Sequence, residues 1–318
     1  MQLQTHAKRN ILMAYKELAT RKPFIVNKNL GSAVEVEPED LTRTNADGTP
    51  VIVPTQKQKY DFDRNGWLLL PGVLSDPDIT EMREFCQRLN EAPEHISEPE
   101  RCALGGPLQK LADHPVIVGF LNEFLAYPPA ASEDCYGFRL EETTVFFGDV
   151  SRHTEVQSVL HKGNGLFRLP GDSHLYRCVP GRGWSGLTRA VWELTAVTAG
   201  TNNIRFITGS HKAAYPIPEA LQNSDSPVWE TYECPPGSLF LLTESMTQTQ
   251  VHVDTAERIT LSNLYNTVAS RWSNWLPHPQ LLEAMPPKRQ TLFREAYAGG
   301  NVVNGDFNQR TSAYPAEV

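Results

Sequence analysis

The sequence predicts a mainly β protein with flanking helices, an antiparallel barrel or sandwich buttressed by helices. Two observations carry this. Apolar residues recur at helical spacing as far as about residue 125, and from Tyr136 onward the chain changes to short runs rich in β-branched and aromatic residues. A length of 318 residues is enough to bury a large core, and no internal repeat or low-complexity tract points to a solenoid or a linker.

Taken in order, Ile11, Leu12, Tyr15 and Leu18 predict a helix from about Gln4 to Arg21 that docks as an arm. The polar stretch from Pro23 to Lys59, with Asp47-Gly48 and Pro50, reads as an irregular or hairpin-containing connection. Residues 1–59 are therefore expected to form an N-terminal helix and arm, and residues 60–318 a single domain. Gly66-Trp-Leu-Leu-Leu-Pro-Gly-Val-Leu74 predicts a short buried strand and a turn. Ser75 or Asp76 caps the next helix, whose inner face is Ile79, Met82, Phe85, Cys86 and Leu89. A further helix is predicted over Pro115–Leu125, with Val116, Phe120, Leu121 and Phe124 on one side. Strands follow at Phe138–Phe147, Trp184–Val197, Ile204–Thr208, Ser238–Thr243 and Arg258–Tyr265, and a last helix includes Lys288–Ala298.

The charge balance narrows the function. A net charge of −8, with 40% hydrophobic and 21% charged residues, describes a soluble acidic protein with no basic field for phosphates, so nucleic acid is not an expected partner. The five cysteines are spread along the chain without CxxC spacing, as expected of reduced thiols in a cytoplasmic protein. Lys8, Arg9, Lys16 and Glu17 interrupt the N-terminal apolar residues, so no signal peptide is expected, and no segment approaches membrane-spanning length. The expected ligand is a small molecule.

Four stretches carry a family resemblance. They are Asp61-Phe-Asp-Arg-Asn-Gly-Trp-Leu-Leu-Leu-Pro-Gly-Val-Leu-Ser75, Val159-Leu-His-Lys-Gly163, Trp192-Glu-Leu-Thr-Ala-Val197 leading to Thr208-Gly-Ser-His-Lys212, and Pro236-Gly-Ser-Leu-Phe-Leu-Leu-Thr-Glu-Ser245 leading to Arg258. In this order and spacing, over about Tyr60 to Tyr297, the chain resembles the phytanoyl-CoA dioxygenase-like family of iron(II)/2-oxoglutarate oxygenases. The pattern is most similar to a sub-branch with Leu-His-Gly-Gly at its first metal motif and Leu-Thr-His-Gly at its second. The resemblance implies a double-stranded β-helix, a jelly-roll or cupin-like barrel, that hydroxylates or otherwise oxidises a small metabolite.

It also implies a metal site that this chain has altered. Active members hold iron with His-x-Asp and a later His, leaving open positions for 2-oxoglutarate and oxygen. Here His161 matches the first histidine, Gly163 stands where the carboxylate is expected, and Gln248 aligns with the second histidine. An amide oxygen is a poorer iron ligand than imidazole, so iron(II) is expected to bind weakly or not at all. His161-Lys162-Gly163 also resembles the halogenase variant of the scaffold, in which halide takes the vacated position. His252, His174 and Asp172 are candidate substitutes; as ordinary surface or turn residues they need no function. Arg258 is implied to pair with the distal carboxylate of 2-oxoglutarate, supported by Thr260. Alternatively, Arg258 forms an ion pair at the sheet edge with Glu257 or Asp254.

Three readings are open from these residues. One is an oxygenase using His161, Gln248 or a substitute, with Arg258 and Thr260 for the co-substrate. Another is a metal-independent isomerase, lyase or cyclase, in which Lys162 lowers the pKa of His161 by like-charge repulsion and leaves a neutral base. The third is a silent paralogue in a dimer with an active partner; a homo-oligomer is compatible with each. Arg189, Glu193, Glu244 and Gln250 are on or beside the strands that would line the pocket, and strand alternation leaves Arg189 and Lys162 facing either the pocket or solvent.

Overall fold

The computed structural model describes residues 41–127, 131–148, 175–199, 204–215, 217–223, 225–250, 258–268 and 270–296. The expected N-terminal helix and the end of the expected last helix lie outside them. The described chain is mainly antiparallel β with few helices. Its helices are α1 (Gln56–Asn65), α2 (Asp76–Glu91), α3 (Pro115–Phe124), α4 (Pro279–Ala284) and α5 (Pro287–Gln290). The strands are β1 (Trp67–Leu70), β2 (Phe138–Gly148), β3 (Arg177–Val179), β4 (Arg182–Trp184), β5 (Thr188–Glu193), β6 (Ile204–Phe206), β7 (Ser238–Thr243), β8 (Gln248–Gln250) and β9 (Arg258–Thr267).

Five strands form one antiparallel sheet in the order β1-β7-β5-β9-β2, and β3-β4 and β6-β8 form two small ribbons. The run Ser-Leu-Phe-Leu-Leu-Thr of β7 is buried at every position, as a strand covered on both faces requires. Alternate residues divide between two clusters. Leu239, Leu241, Ala190, Trp192, Ile259 and Leu261 join the main core with α2, α3 and Phe62 of α1. Phe240, Leu242 and Val191 turn to the other side and meet Phe206, Tyr232 and Met246.

α1 was not expected from sequence. Thr55 and Gln58 form a reciprocal capping box at its start, and Gly66 closes it with φ of 84°. A side chain at Gly66 would also meet the His211 ring, so the turn both reverses the chain and admits this buried imidazole. Ser75 caps α2 as expected, and Ile79, Met82, Phe85 and Cys86 are its buried residues. All five cysteines are free thiols, and burial pushes that of Cys86 up to about 12. Among the described residues no helix is long and apolar enough to cross a membrane.

His114 caps α3 by accepting from the Val116 N–H at 3.4 Å, and its ring packs edge-on to Trp192 at 5.2 Å. Burial pulls its pKa down to about 4, against a smaller upward pull from Asp78. The folded chain therefore keeps His114 neutral while the unfolded chain protonates it near 6.5. Stability is unaffected by this group above that pH and falls between about pH 6.5 and 4, by up to about 1.4 kcal/mol per pH unit. His114→Asn keeps a capping oxygen without the titration. Its urea midpoint should change less between pH 7.5 and 5 than that of the wild type.

Candidate functional site

The candidate site is on the face of the sheet that meets the β6-β8 ribbon. Period-two alternation places Arg189, Val191 and Glu193 of β5 on this face, together with Arg258, Thr260 and Ser262 of β9. The register sets Glu193 opposite Thr260, Val191 opposite Ser262 and Arg189 opposite Leu264. Two polar clusters result, one at each end of β5.

The first is centred on Glu193, whose side chain has no exposed surface. Its Oε1 accepts from the Tyr232 hydroxyl at 2.6 Å and from Arg258 Nη2 at 2.5 Å. Its Oε2 accepts from the Thr260 hydroxyl at 2.7 Å and from Arg258 Nε at 3.3 Å. Four donors thus meet the roughly four acceptor positions of one carboxylate. Burial disfavours the Arg258 charge, but the Glu193 carboxylate and the other negative groups more than offset this and raise its pKa. Burial, and next the Glu193 charge, push the Tyr232 phenol well above its ordinary range, so it remains a donor.

The second cluster is centred on Glu244, in the turn after β7. Arg189 Nε donates to its Oε1 at 2.5 Å, and Gln248 Nε2 donates to its Oε2 at 2.9 Å. Arg189 Nη1 also donates to the Ser262 hydroxyl at 2.8 Å. Glu244 and Gln248 are buried, whereas the Arg189 side chain retains 28% of its surface. Arg189 therefore faces inward, one of the two orientations that alternation allowed.

Of the residues expected from sequence, Arg258 and Thr260 come together, but around Glu193, and Gln248 joins Glu244 and Arg189. His161, Lys162, Gly163, Asp172, His174 and His252 lie outside the described residues, as do Glu257 and Asp254. Glu193 as partner of Arg258, and Tyr232 altogether, escaped the sequence reading. The two-residue spacing of Arg258 and Thr260 placed them on one face, but nothing local pairs them with a glutamate 65 residues away.

Among the described residues, those that the resemblance assigns to the co-substrate and the second metal ligand are engaged by glutamates. A 2-oxoglutarate carboxylate would need the guanidinium and hydroxyl already bound to Glu193. Gln248 donates an Nε2–H to Glu244, whose other oxygen accepts from Arg189. Among the described residues no group of three or more His, Cys, Asp or Glu side chains is placed to hold a metal ion.

No family model matches the sequence. No curated protein matches it either. Solved structures do resemble it. HygX from Streptomyces hygroscopicus, with nickel and 2-oxoglutarate bound, shares 20% identity and a TM-score of 0.55 over 71% of this chain and 91% of its own. HygX with iron bound gives 20% and 0.53 over 71% and 90%. SnoK, a non-heme alpha ketoglutarate dependent carbocyclase from nogalamycin biosynthesis, gives 15% and 0.50 over 76% and 94%. At these identities the likeness is one of fold, and the chain has the fold of HygX and SnoK.

Proposed function

We propose that this chain is a small-metabolite enzyme on the phytanoyl-CoA dioxygenase-like scaffold, a double-stranded β-helix, that works without iron and by acid–base catalysis. The carrying observation is the hydrogen bond from Gln248 to Glu244, with Arg189 on the other carboxylate oxygen. The position where the family resemblance puts a metal histidine belongs instead to a network that fixes a partly exposed arginine. That network supports a site for an anionic or carbonyl oxygen.

In this reading His161, with Lys162 beside it, is the base. It takes a proton from the carbon next to a substrate carbonyl, and the electron pair of that C–H bond moves onto the carbonyl oxygen. Arg189, held by Glu244 and Ser262, stabilises the oxygen. For a β,γ-unsaturated substrate the imidazolium then returns the proton to the γ-carbon as the carbonyl re-forms and the double bond moves into conjugation, so the net reaction is an isomerisation needing no oxidant. The same enolate gives elimination where a leaving group is β to the carbonyl, or cyclisation where an internal electrophile is in reach. SnoK, an alpha ketoglutarate dependent carbocyclase, shows that a ring-forming enzyme uses this fold.

The test is an anaerobic iron(II) titration with and without 2-oxoglutarate, read by metal content after desalting and by the visible band of the iron chelate. The wild type should retain no iron and show no band, whereas Gln248→His should retain iron. A saturating wild-type band that requires 2-oxoglutarate would make the chain an oxygenase and overturn the proposal.

A further inference from the structure

A finished carboxylate cradle is buried in the sheet face, and its ligand is part of the chain. The fork of Arg258 binds both oxygens of Glu193, and Thr260 adds a donor from directly across the β5-β9 ladder. Tyr232 supplies the fourth from outside the sheet, its ring stacked on Phe240 at 4.1 Å and 21°, which fixes the direction of its hydroxyl. We propose that Arg258, Thr260 and Tyr232 form a binding site for a short monocarboxylate, filled in the native chain by Glu193 and thereby closed to free carboxylates. This goes beyond the acid–base reading and holds whether or not the protein binds iron.

The class of ligand follows from the covalent structure of glutamate. Glu193→Ala removes the γ-methylene and the carboxylate, and those atoms have the heavy-atom skeleton of acetate. The hole left by the substitution therefore matches acetate, leaves space around formate, and in a close-packed interior is two methylenes too short for butyrate. A dicarboxylate such as 2-oxoglutarate is too long as well. Positive charge and four preset donors make the emptied cradle specific for a carboxylate over chloride.

The experiment is thermal denaturation of the metal-free full chain in acetate, formate, butyrate or chloride at equal ionic strength. The wild type should give the same Tm in all four. Glu193→Ala should melt about 5–10 °C lower in chloride, the scale of a broken buried ion pair in a chain of this size. Acetate should raise that Tm along a saturating curve, formate should raise it less, and butyrate should not raise it. Adding Arg258→Met should remove the response, and Glu193→Gln, which keeps the volume filled, should not respond. Should Glu193→Ala fail to fold in chloride, the folded yield after refolding in acetate is the readout, and recovery supports the site. Identical behaviour of Glu193→Ala in acetate and chloride would overturn the proposal. So would wild-type calorimetric binding of 2-oxoglutarate that Arg258→Met abolishes, because Glu193 would then yield the cradle to a free ligand.

Discussion

Arg289→Ala should destabilise the protein by about 3–5 kcal/mol, the cost of leaving one member of a buried ion pair without its partner. Arg289 and Asp113 are 2% and 0% exposed and meet at 2.8 Å through Nε and Oδ1. The same guanidinium reaches Gln109 at 3.2 Å and Asp47 at 2.5 Å, while Asp113 Oδ2 accepts from the Tyr136 hydroxyl at 2.7 Å and the Ala46 N–H at 3.1 Å. One ion pair thus joins α5, the segment before α3, the loop at 45–47 and the approach to β2. Asp113→Ala should cost a similar amount and Asp113→Asn less, since the amide oxygen still accepts from Tyr136. The Asp47 side chain is 43% exposed, so Asp47→Asn should cost no more than about 1 kcal/mol. Urea midpoints of the four variants test this order, and an Arg289→Ala midpoint within error of the wild type would remove the clamp from the account.

The elements that sequence reading found are those whose signal is local. α2 has a serine cap and four apolar residues at helical spacing, and all of these appear in the structure as expected. β7 is a continuous apolar run and needs no register to be read as buried. α1 was missed because its ten residues bury only Phe62, so no apolar periodicity marks it and only the Thr55–Gln58 box does. The expected Lys288–Ala298 helix was misplaced. Pro287 opens a four-residue helix that tightens into a 3-10 turn over Thr291–Phe293, and Arg294 continues in extended conformation. Arg289, which looks like a solvent-facing charge, is there turned inward to Asp113.

The site was half legible for a related reason. Alternation left Arg189 facing either the pocket or solvent, because which face is inside depends on what packs against the sheet. Sequence proximity offered Glu257 and Asp254, which lie outside the described residues, as alternative partners of Arg258, and nothing local pointed to Glu193, which the ladder brings opposite Thr260. Tyr232 is a single aromatic residue in a connection, with no spacing to mark it. Its role depends on Phe240 beneath its ring, a contact between residues of different elements.

Arg258 gives the sharpest separation between an arginine reserved for a small molecule and one built into the fold. A guanidinium kept for a free co-substrate is a burden on the unliganded protein, and its removal is neutral or stabilising. A guanidinium that neutralises a fully buried carboxylate has the opposite sign. Arg258→Met should therefore cost about 3–5 kcal/mol, because Glu193 is left charged in the interior with only hydroxyl donors. Glu193→Leu alone should also be costly, leaving Arg258 without its carboxylate. The double variant Glu193→Leu/Arg258→Met should recover about half of the summed loss, since neither charge remains, while Thr260 and Tyr232 still lose an acceptor. Urea midpoints of the wild type, the two single variants and the double variant close the cycle. A coupling near zero, with Arg258→Met neutral, would return Arg258 to the role of a ligand-binding arginine; a coupling of about 2 kcal/mol or more would make the Glu193–Arg258 pair part of the fold.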